Sequence, residues 1–198
     1  MTDSNSNWLY LNSPTNSHRY ILGETGEKIL ACIGVNPSTA EPENLDNTLK
    51  SVKRIANSNG FDGWIMYNLY PQRATHPIDM DEEIDHNQNL KNYSSIVKSI
   101  KHLKIDTLWL AWGDLIDSRE YLIFCLYKIY ETIKNEDLKL KFAIIDVPTV
   151  AGNPKHPLYK KSNSELYEFD LKKYIDSKIT KAILKKYDGI TLNGYEFK

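Results

Sequence analysis

Amide, imidazole and guanidinium side chains stand at the ends of apolar runs in this chain, and they define the chemistry it could perform. The first set lies in KILACIGVNPSTA (28–40), where the apolar residues 29–35 run into Gly34, Asn36, Pro37, Ser38 and Thr39. Gly34 lets backbone approach a ligand closely, and Pro37 rigidifies the turn. Asn36 offers an amide oxygen and an NH₂ group, able to hold a water or read a ring edge. Ser38 and Thr39 add hydroxyls, and N–H groups beyond the turn could bind an anion. A plain Asx or Ser/Thr turn is the alternative reading of Asn36 and Ser38. The second set, in WIMYNLYPQRATHP (64–77), carries Asn68 and Arg73. The asparagine suits an amide-like edge such as that of a pyrimidine. The arginine is a natural fork for phosphate or carboxylate, or else a partner for the acids of 79–85. Asp114 follows Trp112-Gly113 and could serve a site or cap the next helix. His156, in a loop with Gly152, Pro154 and Pro157, could donate to charge developing on a leaving group, or titrate as acid or base. A satisfied surface histidine is the plainer alternative.

Several other chemistries lose support. No Walker loop, G-x-G-x-x-G, HExxH or G-x-S-x-G is present, so P-loop nucleotide hydrolysis, hydride transfer and the usual serine-hydrolase route are disfavoured. His18, His76, His86 and His102 share no ligand-like spacing, so neither a metal nor a cofactor is expected. The net charge of −1 argues against a bulk electrostatic grip on nucleic acid. Charge is nonetheless uneven: residues 1–154 carry 15 basic against 20 acidic side chains, and 155–198 carry 10 against 6. Cys32 and Cys125 sit inside apolar runs and read as buried free thiols rather than a disulfide framework. The start has no signal-peptide pattern, and no run of about 18 apolar residues exists. A cytoplasmic protein without a membrane span is the expectation.

The elements that must position these residues follow from periodicity. Residues 1–18 read as a mobile lead-in rich in Ser, Asn and Thr, and 19–198 as a single α/β domain. Residues 19–23 and 27–35 flank Glu-Thr-Gly and read as a hairpin feeding the first central strand. Helices are expected over 44–59 with Gly60 closing it, from the acidic run 79–85 to 103, over 115–134, and over 177–186. Central strands are expected at 64–69, 106–112 and 140–147, with an edge strand from 190 to 197. Strands alternating with long helices imply βαβ units, a parallel sheet and a three-layer αβα sandwich. Four polar loops would then converge above the carboxyl ends of the strands, where ligands bind in open sheets.

At these loops the chain resembles family 1643 of domains of unknown function, found in bacteria and phages. The matching residues are Gly34 to Ala40, Asn68-Leu69 with Arg73-Ala74-Thr75, Ala111-Trp112-Gly113, and Gly152 with His156-Pro157-Leu158-Tyr159. A more distant resemblance is to the uracil-DNA glycosylase superfamily. Gly34-Val35-Asn36-Pro37 is similar to the Gly-Ile-Asn-Pro motif of its mismatch-specific thymine/uracil branch, and His156-Pro157 to the His-Pro of its final motif. That resemblance implies a four-stranded parallel sheet of order 2-1-3-4, here with an added N-terminal hairpin strand. It implies that Asn36 positions the attacking water, Asn68 reads the base, and His156 stabilises the departing base. The catalytic pair expected is therefore Asn36 and His156. Gly34, Pro37, Ser38 and Thr39, with Asn68, Arg73, Gly113 and Pro157, would form the substrate side. The partner implied is a nucleobase, nucleotide or nucleic acid, with Lys155, Lys160 and Lys161 near phosphate. The function expected is hydrolysis of a nucleobase N-glycosidic bond. A non-catalytic nucleotide- or base-binding module, or a hydrolase or transferase for another small anion, are the alternatives.

Overall fold

The structure, a computed structural model, describes residues 7–188. Seven strands form one sheet: β1 (Trp8–Asn12), β2 (Arg19–Glu24), β3 (Ile29–Gly34), β4 (Gly63–Asn68), β5 (Thr107–Leu110), β6 (Lys141–Ile145) and β7 (Leu166–Glu168). Their hydrogen-bonded order is β1-β2-β4-β3-β5-β6-β7. β3 pairs in parallel with β4 and β5, and β5 with β6. The flanking pairs β1–β2, β2–β4 and β6–β7 are antiparallel.

Alternation along β3 explains why both faces of the sheet are covered. Ala31 and Ile33 enter one apolar cluster, Leu30 and Cys32 the other. Helix α1 (Asn47–Ser58) closes the second cluster with Leu49, Val52, Ile55 and Ala56. Helices α2 (His86–His102) and α3 (Glu120–Asn135) close the first with Ile96, Ile100, Leu122 and Leu126, joined by α4 (Leu171–Lys178) and α5 (Lys181–Asp188). The α/β class follows from the sequence pattern. Cys32 and Cys125 are buried free thiols. No helix among the described residues is long and apolar enough to cross a membrane.

The sheet is larger than the four parallel strands and one hairpin strand expected. Trp8–Asn12, inside the stretch read as lead-in, forms β1: Trp8 and Tyr10 pack on one apolar cluster and Leu9 on the other. The expected hairpin between β2 and β3 is absent. β2 pairs instead with β1 and β4, and the chain crosses the start of β4 to reach β3. Asp62 holds that crossing by accepting from the N–H groups of Glu27 (3.0 Å) and Lys28 (2.6 Å). A Cβ on Gly23 would lie 2.2 Å from the Trp64 carbonyl oxygen, so β2 can approach β4 this closely only with glycine there.

Helix boundaries shift for local reasons. α1 starts at Asn47 because Asp46 caps it, accepting from Leu49 N–H at 2.8 Å, and Gly60 follows its end with φ +78°. Within the acidic run, Asp85 alone caps α2. The helix expected from 115 is divided: Gly113–Ser118 is a 3₁₀ turn, Arg119 is extended, and α3 begins at Glu120. The tail helix expected over 177–186 breaks at Ile179, and Thr180 restarts the chain by accepting from Ile183 N–H at 3.2 Å. The edge of β6 is covered by β7. The edge strand expected over 190–197 lies outside the described residues.

Candidate functional site

The parallel pairing brings the ends of β3, β4, β5 and β6 to one edge of the sheet, and a cleft of about 360 Å³ opens there. That volume falls within the usual range for small-ligand pockets. Gly34, Asn36 and Ser38 reach it from the β3 loop, Asn68 from the end of β4, and His156 from the loop after β6. Four further polar residues on its wall were not singled out from sequence: Asp46, Asn47 and Thr48 at the start of α1, and Arg19 of β2.

Asn36 is half-buried, and its amide nitrogen is committed. It donates to the carbonyls of Ala74 (2.8 Å) and Pro37 (3.1 Å), which ties the β3 loop to the β4 loop. Its Oδ1 is thereby oriented and remains an acceptor for a water. Asn68 is 1% exposed. With its amide assigned on hydrogen-bonding grounds, Nδ2 donates to the carbonyls of Asn36 (3.2 Å) and Tyr67 (3.3 Å), leaving its oxygen to accept from a ligand. Asn92 of α2, fully buried, fixes this corner from below by donating to the carbonyls of Asn68 (2.8 Å) and Leu69 (3.1 Å). The sequence signal for Asn92 was a polar residue on the inward face of an amphipathic helix. A Cβ on Gly34 would meet Met66 Cε at 2.7 Å and the Asn68 amide at 3.4 Å, so Gly34 keeps that amide in place.

The loop bearing His156 is braced rather than loose. Asn153 is fully buried; its Nδ2 donates to Asp114 (2.9 Å) and Asp117 (2.7 Å), and its Oδ1 accepts from the Tyr174 hydroxyl (2.7 Å). Thr149 adds a bond to Asp114 at 2.5 Å. Asp114 therefore holds this loop and does not cap α3. Gly113, at φ +61°, donates to the Pro154 carbonyl (2.8 Å), and a Cβ there would lie 3.3 Å from His156 Cβ. Gly113 thus supports His156 and does not line the cleft. Lys160 pairs with Asp146 at 3.0 Å across the loop, so its ammonium is not free for phosphate.

Within the imidazole, Nδ1 accepts from the Leu158 N–H at 3.3 Å, which leaves the proton of the neutral ring on Nε2 as a donor. His156 is exposed as a residue, but the atoms packed around its ring take enough water from it to lower its pKa below 6.5, opposed by the nearby Asp46 carboxylate. The unfolded chain therefore binds more protons than the native one in the interval below 6.5. Stability from this group is fully present above that pH and is lost as pH falls through the depressed native value. Burial shifts His18 in the same direction. Thermal melts at pH 7 and pH 5 are expected to show a smaller drop for His156→Gln than for wild type. Equal drops would exclude the His156 contribution.

Besides Gly113, four expected residues lie off the cleft. Pro37 and Pro157 are buried within their turns. Thr39 is exposed and borders a neighbouring groove with Arg73. Arg73 is engaged inside the protein: Nη1 donates to the Ser38 carbonyl (2.6 Å), Nη2 to the Tyr10 hydroxyl (2.6 Å), and Glu41 stands 3.7 Å away. It braces the β3 loop, and its partner is Glu41 rather than the acids of 79–85.

Comparison with known proteins yields a family-model match. The model of a family described as protein of unknown function (DUF1643) matches residues 19–158. No curated protein matches the chain.

Proposed function

The chain belongs to the DUF1643 family of proteins of unknown function, matched over residues 19–158, and from that premise we propose that its cleft binds a nucleobase and hydrolyses the N-glycosidic bond that carries it. One observation carries the reading: Asn36 and His156 from two separate loops, and Asn68 from the end of β4, line the same cleft at the carboxyl ends of parallel strands. Asn36 Oδ1 would hold the attacking water. Asn68 would accept from the base edge, and His156 Nε2–H would stabilise charge on the departing base. Asp46 supplies what two amides and one imidazole lack. It is the acidic residue among those lining the cleft, and one of its oxygens is used in capping α1 while the other remains to take a proton from water.

A relation in fold to the uracil-DNA glycosylase superfamily is part of the same proposal. Numbered in chain order, the four parallel strands β4-β3-β5-β6 run second, first, third, fourth, and this supports it. Hydrophobic side chains stand open on the His156 loop, with Val150 and Tyr159 fully exposed or nearly so. They would meet an unstacked strand if the target base is drawn from nucleic acid. A cytoplasmic setting, where free thiols stay reduced, fits this substrate class.

The test is direct. The protein is incubated with uracil- and thymine-containing single strands, duplexes and nucleotides, and free base is measured by chromatography. Release of base that depends on His156 is expected. Saturable binding with no release would select the second reading, a base- or nucleotide-binding module. That reading is favoured by the apolar walls of Val35, Leu49, Met66, Leu115 and Leu158, which can enclose a ring without taking part in chemistry.

A further inference from the structure

Arg19 opens β2, yet its side chain belongs to the cleft: the residue is 2% exposed and forms part of the lining. Nη1 donates to the Ala40 carbonyl at 2.9 Å, while Nε has no acceptor. Among the described residues no carboxylate lies within ion-pair distance of it. Burial and the nearby Arg73 lower its pKa to about 10, against the pull of Asp46, so it stays charged at neutral pH. A buried cation with unfilled donors is costly to a fold unless something completes it. The planar fork of a guanidinium is matched to an oxyanion. The first turn of α1 stands on the same cleft. Asp46 satisfies Leu49 N–H, which leaves the N–H groups of Asn47 and Thr48 without intrahelical partners.

We propose that the cleft contains an anion subsite, with Arg19 as its buried cation and the first turn of α1 as its second set of donors, and that its occupant is the phosphate of a nucleotide. This rests on the base-binding reading above and extends it to the group attached to the base. Asp46 limits the charge that the subsite accepts, because its carboxylate lines the same cleft. A singly charged phosphodiester of a nucleic-acid strand therefore fits better than the dianion of a free monophosphate. Arg73 takes no part because it lies off the cleft, with its Nη groups turned to Ser38 and Tyr10.

Titration calorimetry on the full chain separates the possibilities, with four probes: deoxyuridine, deoxyuridine 5′-monophosphate, a deoxyuridine-containing dinucleoside monophosphate, and inorganic phosphate. The diester is expected to bind at least tenfold more tightly than the nucleoside. Arg19→Gln should abolish that gain, so that the variant no longer tells diester from nucleoside, with circular dichroism confirming its fold. Equal affinities for nucleoside, monoester and diester in the wild type would overturn the subsite, even if the variant does not fold. Preference for the monoester would keep the subsite and overturn the diester assignment. Arg19-dependent binding of inorganic phosphate with no nucleoside affinity would sink the nucleobase reading while the anion subsite stands.

Discussion

Asn36→Ala is expected to slow release of free base by about 10²–10⁴-fold, the scale associated with loss of a group that positions or activates a nucleophile. The fold should tolerate the change. Pro37 O, one acceptor of the lost amide, also receives the Ala74 N–H at 2.9 Å, and the half-buried site admits water to the other. Asp46→Asn should have an effect of similar size for a different reason. Asparagine caps a helix as well as aspartate does, so α1 keeps its start while the carboxylate that would accept the proton is gone. Because both residues are assigned to one water, the double variant should be little worse than either single one. Rate measurements on the three variants decide this. A full rate in Asn36→Ala removes the water-positioning role, and strict additivity argues against a shared water.

Asn153→Ala should destabilise the protein by about 3 kcal/mol, since it removes two bonds to carboxylates and strands the Tyr174 hydroxyl in a buried position. For a chain of this size that lowers Tm by roughly 6–12 °C. The effect should extend to function. The loop would lose its anchor to the 3₁₀ turn at Gly113–Ser118, and His156 would no longer be held beside Gly113. Limited proteolysis should find new cleavage between residues 147 and 158. A Tm within about 2 °C of wild type, with no new cleavage, would mean that the remaining contacts suffice.

The sequence made the strand ends legible because residues 29–35 and 64–67 are apolar runs that stop at asparagine. A buried parallel strand leaves that mark directly. Asn36, Asn68 and His156 could thus be placed on one edge before any coordinates. Asp46 and Arg19 could not. An aspartate ahead of an amphipathic run reads as a helix cap, and only the crossover that lays α1 above the sheet edge turns that cap into a cleft wall. Arg19 is the first residue of a strand that continues through Tyr20, Ile21 and Leu22, and nothing local tells a surface arginine from a buried one. Arg73 erred in the opposite sense. Its type suits an anion, but the tertiary structure surrounds it with main-chain carbonyls and Tyr10. β1 is hidden by its setting, since the short apolar run at 8–11 lies between polar tracts. The two-helix tail was missed because the break at Ile179 depends on a single hydroxyl, that of Thr180.

The contact between Tyr174 and Asn153 has a further consequence, since Tyr174 lies on α4, beyond the span matched by the family model. The same hydroxyl accepts from Trp112 Nε1 at 3.2 Å, so one side chain from outside the span joins two of the loops inside it. Tyr10, on β1 at the other end, does the same for Arg73. Kinship in sequence and mechanical integrity therefore have different borders here. A fragment cut to residues 19–158, or a graft of that span onto another scaffold, would carry Asn36, Asn68 and His156 and lose the two splints that set them against one another. The smallest portable version of this cleft runs from β1 through α4.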